Sequence, residues 1–306
     1  MSGPLVSVVV PTHNRADRVA RAVGSVLGQT LRDLEVIVVD DGSTDGTAAR
    51  VAELAAGDDR VRPLYLPVAG GAPAARNCGL DASRGRFIAF LDDDDEWLPT
   101  KLERQVARLE RDPALVLVSC HHLLVTGDGE VSYRGPTACT RAELLWCDFL
   151  GGSSLGLVRR DAFRDGEVPR FDPSLRTCQD WDYWVRCAAA GGVAVVPEAL
   201  CRYDGGDGDR LTNDRAKRLD GHRRFVEKHT DAMSPDCRAY LGARLELMAA
   251  PDQRHELTLG PRLLRQLPPR VAWILATEIA HARWGARRGD PGRGMRRLHR
   301  SIRGRA

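Results

Sequence analysis

The chain has 306 residues, a formal net charge of +3, 43% hydrophobic residues and 28% charged residues. This composition excludes a largely disordered protein and predicts a globular fold with one large α/β core and an appended lobe. Its longest apolar runs, Leu5 to Pro11 and Val271 to Ala276, are far shorter than the roughly 20 residues of a membrane-spanning helix, so we expect neither such a helix nor a signal peptide.

Four short runs near the start of the chain are apolar or β-branched, and the segments between them are long enough for helices. That alternation predicts a parallel, doubly wound sheet. Apolar residues recur at helical spacing from Val19 to Leu27 and from Leu102 to Leu109, the second after Pro99 in a first helical turn. The four predicted strands are Leu5 to Val10, Leu34 to Val39, Val61 to Leu66 and Arg86 to Leu91.

The pattern becomes mixed after Ala114, which predicts a second half-lobe that continues the sheet. A glycine-rich stretch from Asp204 to Asp209 then leads into a helical region. The second half-lobe has predicted strands at Leu115 to Ser119, Ser154 to Val158 and Val193 to Val196, and a helix near Trp181 to Ala190. The later helices are predicted at Asp214 to His229, Asp236 to Ala249 and Pro261 to Trp284.

Polar clusters follow three of the predicted strands, at Pro11 to Arg15, Asp40 to Asp45 and Asp92 to Glu96. In open parallel sheets, ligands bind beyond the carboxyl ends of the strands. We therefore expect the three clusters to meet in one crevice.

The four consecutive aspartates Asp92 to Asp95 give the strongest single signal for a site. Adjacent carboxylates at a strand end repel one another unless a cation neutralises them, and hard oxygen ligands favour Mg²⁺ or Mn²⁺ over zinc. The alternative is a solvated acidic loop whose carboxylates cap the next helix. Likewise, Asp40-Asp41 before Gly42-Ser43 is either a ligand-binding turn or an ordinary capped turn.

Two further segments could belong to the same site. Arg76 lies in an acidic part of the chain and could pair with a phosphate or with a neighbouring aspartate. Asp180 begins a predicted helix beside Trp181 and Trp184, which suits a general base next to an apolar sugar-binding wall. The alternative for this segment is a helix that its aromatic residues merely anchor.

Taken in order, these motifs resemble family 2 of the inverting glycosyltransferases over residues 5 to about 203. They are Pro11-Thr12-His13-Asn14-Arg15, Asp40-Asp41-Gly42-Ser43, Ala75-Arg76-Asn77, Asp92 to Pro99, and Asp180-Trp181. The resemblance implies a GT-A fold, which is a mostly parallel, Rossmann-like α/β sheet flanked by helices, here with a C-terminal helical appendage. It implies a nucleotide-sugar-binding half at 1–118, an acceptor-binding half at 119–210, and a helical region with a basic tail at 211–306.

The resemblance also assigns roles to residues. Asp180 matches the catalytic base, with Gln179 in place of the usual glutamate, and Asp94 matches the metal-binding acid of the DxD element. Asp92 or Asp93 approaches the ribose, and Asp93 departs from the serine that is common at the middle position. The other nucleotide-binding positions are Pro11, Thr12, Asn14, Asp40, Asp41 and Arg76, while Asp95 and Glu96 support the site.

The implied reaction is the transfer of a sugar, with inversion, from a nucleotide diphosphate donor to an acceptor hydroxyl. The implied cofactor is Mn²⁺ or Mg²⁺, the donor is a UDP-sugar, and the acceptor is a bacterial glycan, glycolipid or small molecule. There are two alternatives. A nucleotidyltransferase would need a basic, glycine-rich loop near the first strand, and Pro11 to Arg15 is not such a loop. The other alternative is a catalytically silent protein that binds a sugar nucleotide. The stretch Tyr203 to Arg210 offers no histidine as a further metal ligand and reads as a lid or as a linker.

The eight cysteines have neither a CxxC pair nor zinc-like spacing, so we expect reduced thiols and a cytoplasmic protein. Arg283 to Ala306 holds nine arginines and one acid, Asp290, and follows an apolar stripe from Val271 to Ile279. Such a segment can lie on the inner face of a membrane. The alternatives are a helix packed on the catalytic domain or in a homo-oligomer contact, followed by a solvated arginine tail. Nucleic-acid binding is not expected, because no base-stacking platform accompanies the charge.

Overall fold

The structure, a computed structural model, describes residues 3–127, 129–205, 214–250, 265–268 and 272. The ten strands in these residues form one mixed sheet. The strands are β1 (Val6–Thr12), β2 (Leu34–Asp40), β3 (Val61–Tyr65), β4 (Phe87–Phe90), β5 (Glu96–Trp97), β6 (Leu115–Thr126), β7 (Gly129–Tyr133), β8 (Ala138–Cys139), β9 (Leu157–Arg159) and β10 (Gly192–Asp204). The helices are α1 (Ala16–Leu27), α2 (Thr47–Gly57), α3 (Ala72–Ala82), α4 (Lys101–Arg111), α5 (Arg141–Leu144), α6 (Gln179–Cys187), α7 (Arg215–His229) and α8 (Pro235–Ala249).

The strand order is β3-β2-β1-β4-β9-β6-β10-β5, with β7 beside β6 and β8 beside β10. The pairs β1–β2, β2–β3, β1–β4 and β6–β10 are parallel. Strand β9 runs antiparallel to both β4 and β6 and joins the two parallel groups. The predicted α/β class with a central sheet flanked by helices is therefore confirmed, and four of the nine strand pairs in the described residues are parallel.

The core lies on both faces of this sheet. Every residue of β1 and β2 is buried, as expected for parallel strands that helices cover on two sides. Val8 packs in one buried cluster together with residues of α1, while Val9 packs in the other with residues of α3. Helix α3 lies so close to the sheet that a side chain at Gly79 would overlap Val9.

Several boundaries differ from the predicted ones. The predicted strand Ser154 to Val158 begins instead with a 3₁₀ turn, Ser153–Leu155, and only then enters β9. The reason is tertiary, because the Asp92 amide donates to Ser154 Oγ and Ser153 Oγ donates to the Asp92 carboxylate. Helix α4 begins at Lys101, after Pro99 rather than around it.

Strands β6 and β10 extend well beyond the segments predicted for them, and the hairpin that β6 forms with β7 was not predicted. The predicted division between residues 118 and 119 falls inside the continuous strand β6. The eight cysteines all lie in the described residues, and no disulfide joins any two of them.

Helices α6, α7 and α8 lie within a few residues of their predicted bounds. The predicted helix Pro261 to Trp284 falls almost wholly outside the described residues, and the arginine-rich tail falls outside them entirely. So does most of the predicted lid, from residue 206 onward. In the part of the chain that is described, no helix has the length and apolar character needed to cross a membrane.

Helix α7 is tied to α6 by a fully buried carboxylate, Asp182. Asp182 Oδ2 lies 2.6 Å from Arg186 Nη2, and its Oδ1 lies 2.8 Å from His229 Nε2 and 3.0 Å from Lys228 Nζ. Burial alone would raise the pKa of Asp182, but hydrogen bonds from His229 and Arg186 hold it well below its usual range. Because Lys228 and His229 belong to α7, this network fixes the helix that carries Asp180.

Removing this carboxylate tests its contribution to stability. We expect Asp182→Ala to lower the free energy of unfolding by about 3 kcal/mol, because it removes a buried carboxylate on which buried His229 and the partly exposed Arg186 and Lys228 converge. Asp220→Ala is the matched control, since it breaks the exposed pair between Asp220 and Arg224 on α7 and should cost about 0.5 kcal/mol or less. Urea unfolding measures both, and equal losses in the two variants would contradict the assignment.

Candidate active site

The carboxyl ends of β1, β2 and β4 meet at one edge of the sheet, where they border a cleft of about 460 Å³. The cleft is closed on the far side by the start of α6 and by Tyr203 of β10. The predicted site residues that line it are Pro11, Thr12, Asp41, Arg76, Asp92, Asp93, Asp94 and Asp180. The predicted convergence of the strand-end clusters is therefore what the fold produces.

Two predicted nucleotide-binding residues, Asn14 and Asp40, are not among the cleft-lining residues. Asn14 has a left-handed backbone (φ 53°), its amide donates to Ser43 Oγ at 2.9 Å, and its Oδ1 accepts from the Thr44 amide at 2.8 Å. The Asp40 carboxylate accepts from the Ser43 amide at 3.0 Å. Both side chains hold the loops after β1 and β2 together, so we assign them to the support of the cleft wall.

Asp41 lines the cleft but is itself 4% exposed. Its Oδ1 accepts from the Gly70 amide at 2.8 Å and its Oδ2 from the Gly71 amide at 2.7 Å. Gly71 has φ of 84° and directly precedes α3. Asp41 therefore fixes the loop that leads into the helix carrying Arg76.

Arg76 lines the cleft and is 5% exposed. Its Nη2 donates to Asp92 Oδ1 at 2.6 Å and its Nη1 donates to Gln179 Oε1 at 2.8 Å. Of the two roles left open by the sequence, the pairing with an aspartate is the one that this structure contains. Within the described residues, Arg76 Nε has no hydrogen-bond partner.

Arginines of the chain itself pair with three members of the aspartate run, Asp92, Asp93 and Asp94. Arg15 Nη1 lies 2.8 Å from Asp93 Oδ1 and 3.2 Å from Asp94 Oδ2, and Arg18 Nη1 lies 3.9 Å from Asp94 Oδ2. Asp93 also accepts from Thr12 Oγ1 at 2.8 Å. Guanidinium groups of the chain therefore supply part of the positive charge that balances the run, so the repulsion of its carboxylates does not by itself identify a metal ion.

Asp95 is a buried member of the run that contacts the backbone of β10. It is 1% exposed, and its Oδ1 accepts from the Asp204 amide at 2.9 Å. Burial raises the pKa of Asp95 well above its usual range, and the charges of Asp92 and Asp94 add to the rise. Asp95 thus connects the strand-end loop to the end of β10.

Asp180 stands in the first turn of α6, after Cys178, which adopts a left-handed backbone conformation (φ 60°). Its Oδ1 is buried and accepts no hydrogen bond from any residue that the structure describes. Burial raises the pKa of Asp180 to about 6, against the opposing charge of Arg76 and together with the charge of Asp92. A carboxylate that has a raised pKa and one oxygen without a hydrogen-bond partner is suited to accept a proton from a ligand.

The two tryptophans of α6 do not form a sugar-binding wall, so that expectation is wrong. Trp181 is 4% exposed and stacks on Phe225 of α7 with ring centroids 3.7 Å apart. Trp184 is fully buried, and its Nε1 donates to the Gly151 carbonyl at 2.8 Å. Both rings anchor α6 in the core and so hold Asp180 at the cleft.

Three polar side chains that contact the cleft aspartates were not assigned from the sequence. Ser153 Oγ lies 3.1 Å from both oxygens of Asp92, and its only sequence signal is the Gly151-Gly152-Ser153-Ser154 loop. Arg15 and Arg18 project from the start of α1 towards Asp94. Arg15 lies inside the first motif, but nothing in the sequence around it indicates that it pairs with residues nearly 80 positions away.

A divalent cation was predicted at Asp94, and the donor set can be compared with what such ions need. No group of three or more histidine, cysteine, aspartate or glutamate side chains suited to a metal occurs among the described residues. Mg²⁺ is usually held by only one or two carboxylates together with substrate phosphates. Asp94, whose side chain is 16% exposed at the cleft, fits a site of that kind and does not form a complete cage.

Comparison with known proteins identifies the family. The family model described as glycosyl transferase family 2 matches residues 7–146. TuaG of Bacillus subtilis (strain 168), named as a teichuronic acid biosynthesis glycosyltransferase, is 34% identical over 205 residues, which are 65% of this chain and 79% of that protein. The chain belongs to glycosyl transferase family 2. It is therefore a glycosyltransferase, which sets aside the nucleotidyltransferase and the silent binding protein.

Solved structures of glycosyltransferases share the fold of this family 2 chain. Residues 1–349 of S. aureus TarS in complex with UDP-GlcNAc give a TM-score of 0.65 at 18% identity, covering 99% of this chain and 92% of that one. The mannosyltransferase PcManGT from Pyrobaculum calidifontis, in complex with GDP-Man and Mn²⁺, gives 0.63 at 20% identity, covering 99% and 87%. The GT-A fold implied by the motifs is thereby confirmed.

Proposed function

We propose that this glycosyltransferase transfers a sugar, with inversion, from a UDP-sugar to a hydroxyl of a bacterial glycan or glycolipid, with Mn²⁺ or Mg²⁺ as cofactor. The observation that carries the proposal is the placement of Asp180, with one unpaired carboxylate oxygen, in the same cleft as Arg76 and the Asp92 to Asp94 run. The UDP-GlcNAc bound by TarS and the polysaccharide named for TuaG support the donor and the acceptor class.

The donor's nucleoside is assigned to the side of the cleft formed by β1 and β2. Pro11, Thr12 and Asp41 line that side. For the ribose we favour Asp92 over Asp93, because the Asp92 side chain is 27% exposed and that of Asp93 is 6% exposed. Asp93 is engaged by Thr12 and Arg15, so its role is to hold the loop.

Asp94 is proposed as the ligand of the divalent cation, as the Mn²⁺ in the PcManGT complex supports. When bound, such a cation stabilises the negative charge that develops on the departing diphosphate. Arg15 and Arg18 present positive charge at the same place and are suited to bind the diphosphate oxygens. Screening UDP-, TDP- and GDP-sugars by thermal shift, with and without Mn²⁺, tests the donor and the cofactor together. Stabilisation by no nucleotide sugar would contradict the proposal.

Asp180 is proposed to take the proton of the acceptor hydroxyl as it attacks the sugar. A base is active only when it is deprotonated, and burial raises the pKa of this carboxyl to about 6. We therefore expect kcat/KM, which reports the free enzyme, to rise with pH through about 6 and to level off above it. Initial rates of UDP release across this range measure the profile.

The variant Gln179→Glu gives a second test of this pH dependence. Gln179 accepts from Arg76, so a glutamate there would compete for the guanidinium whose charge lowers the pKa of Asp180. Like charge disfavours the ionised form, so the rise in kcat/KM should move to higher pH. A flat wild-type profile, or a shift of the variant to lower pH, would contradict the assignment of Asp180 as the base.

Contact with the inner face of a membrane, a homo-oligomer and a cytoplasmic location stay predictions. The basic tail on which the first of these depends lies outside the described residues.

A further inference from the structure

The 3₁₀ turn Ser153–Leu155 lies between two carboxylates that the proposed function uses. Ser153 and Ser154 are both fully buried. Ser153 Oγ lies 3.1 Å from both carboxylate oxygens of Asp92, and Ser154 Oγ accepts from the Asp92 amide at 3.1 Å. The amide and hydroxyl of Ser153 also interact with Asp180. Ser153 therefore stands between the residue proposed for the ribose and the proposed base.

Two buried side chains hold the same turn by its backbone, from the side of the core. Trp97 is 3% exposed, and its Nε1 donates to the Ser154 carbonyl at 2.8 Å. Gln105 is fully buried, and its Nε2 donates to the Leu155 carbonyl at 2.8 Å and to the Val118 carbonyl at 3.0 Å. Because a buried carbonyl that loses its donor is costly, these contacts resist movement of the turn.

A buried lysine, which has no part in the proposed chemistry, completes this arrangement. Lys101 is fully buried, its Nζ lies 4.0 Å from the centroid of the Trp97 ring, and it donates to Gln105 Oε1 at 2.8 Å. An ammonium group has only donors, so it binds the oxygen of the Gln105 amide and leaves the NH₂ group facing the two carbonyls. Trp97 belongs to β5 and the other two residues to α4. We call Trp97, Lys101 and Gln105 the core clamp.

We propose that the core clamp positions Asp92 and Asp180 for sugar transfer by fixing the turn between them. This inference rests on the proposed function and extends it to residues that do not line the cleft. A misplacement of about 1 Å, caused far from the reacting atoms, can cost a factor of about 10² in rate. Such side chains therefore affect the reaction without contacting a ligand.

Two substitutions loosen the core clamp without entering the cleft. Trp97→Phe keeps an aromatic ring beside Lys101 but removes the N–H group that donates to the Ser154 carbonyl. Gln105→Met nearly keeps the volume of the side chain but removes both of its donors. Ser153→Ala is the reference for a direct loss, because it deletes the hydroxyl that the turn presents to the cleft. Circular dichroism and urea unfolding establish that each variant folds.

Gln29→Met is the matched control for Gln105→Met. Gln29 is also fully buried, its Nε2 donates to the Ser25 and Leu98 carbonyls at 3.1 and 2.9 Å, and its Oε1 accepts from the Leu102 amide at 3.1 Å. Its side chain thus makes as many hydrogen bonds as that of Gln105 but does not contact the turn. Loss of stability without a change at the cleft is the expected result for this control.

The first readout is the ionisation of Asp180, followed by NMR of protein labelled with ¹³C at the aspartate carboxyl carbons. The resonance that is absent from Asp180→Asn identifies the residue. Burial raises the pKa of Asp180 to about 6, and the amide and hydroxyl of Ser153 lower it, because hydrogen bonds to the ionised form favour that form. The pKa should therefore rise in both clamp variants and in Ser153→Ala, and stay unchanged in Gln29→Met. The substitutions leave in place the other titratable groups near Asp180, which are Arg76, Asp92, Asp148 and Cys178.

The second readout is the dissociation constant of UDP, measured by calorimetry with Mn²⁺ present. Because Asp92 is proposed to bind the ribose, both clamp variants should bind UDP more weakly, by up to about tenfold, as for one hydrogen bond to a charged group. Gln29→Met should bind UDP like the wild type.

Three outcomes would overturn the inference. They are an unchanged Asp180 pKa and UDP affinity in the folded clamp variants, equal changes in Gln29→Met, and a failure of both clamp variants to fold, which would assign the core clamp to the fold alone. A wild type that does not bind UDP, or whose Asp180 titrates at the ordinary aspartate value, would instead overturn the proposed function itself.

Discussion

Asp180→Asn should reduce sugar transfer by a factor of about 10²–10⁴ while leaving the affinity for UDP nearly unchanged. The substitution keeps the shape of the side chain but removes the group that is proposed to accept the proton of the attacking hydroxyl. Its unpaired Oδ1 and its place at the start of α6 make this the residue with the clearest chemical role in the cleft. The effect should therefore fall on kcat and not on donor binding.

Steady-state rates of UDP release, with calorimetric titration of UDP into the same proteins, separate these two quantities. Asp220→Asn, at an exposed ion pair on α7, is the control and should match the wild type in both. Full transfer activity in Asp180→Asn would remove Asp180 from the mechanism. A parallel loss of UDP affinity would show that the residue acts on the fold of the cleft.

Asp94→Ala should reduce transfer by a factor of about 10²–10³, because a positioned electrostatic contact to the leaving group is lost. It should also remove any strengthening of UDP binding by Mn²⁺. The second effect is the more specific, since Arg15 and Arg18, which pair with Asp94, stay in place and can still attract a diphosphate.

Glu96→Ala is the matched control for Asp94→Ala. Glu96 lies two residues further along the same acidic run, pairs with Arg21 at 2.8 Å and has a side chain that is 28% exposed. It should change neither the transfer rate nor the response to Mn²⁺ substantially. Equal losses in the two variants would mean that the net charge of the run matters and not a metal ligand at Asp94.

The parts of the fold that the sequence predicted are those with a strong local pattern. Strands β1 and β2 are buried along their whole length, so they appear as continuous β-branched runs between polar turns. Strand β9 could not be placed correctly, because the turn at Ser153 and Ser154 exists through hydrogen bonds to Asp92, some 60 residues earlier. The β6–β7 hairpin was missed for a related reason, since its outer residues are only partly buried.

The position of the candidate site was predictable in the same way, because parallel neighbouring strands bring their carboxyl ends together. The individual contacts were not predictable. Nothing local indicates that Asn14 holds a loop rather than facing the cleft, or that Trp181 turns inward to stack on Phe225. The charge balance of the aspartate run depends on Arg15, which comes from a distant segment. The sequence of the run itself therefore does not indicate this contact.

The most direct measurement is a calorimetric titration of UDP into the wild type and into Asp94→Ala, each with Mn²⁺ and with EDTA. It needs no knowledge of the acceptor and addresses the claim that the cleft holds a nucleotide diphosphate through a metal at Asp94. We expect the wild type to bind UDP more tightly with Mn²⁺ than with EDTA, and the difference to vanish in Asp94→Ala. Equal affinity of the wild type under both conditions, or a Mn²⁺ effect that survives in Asp94→Ala, would contradict it.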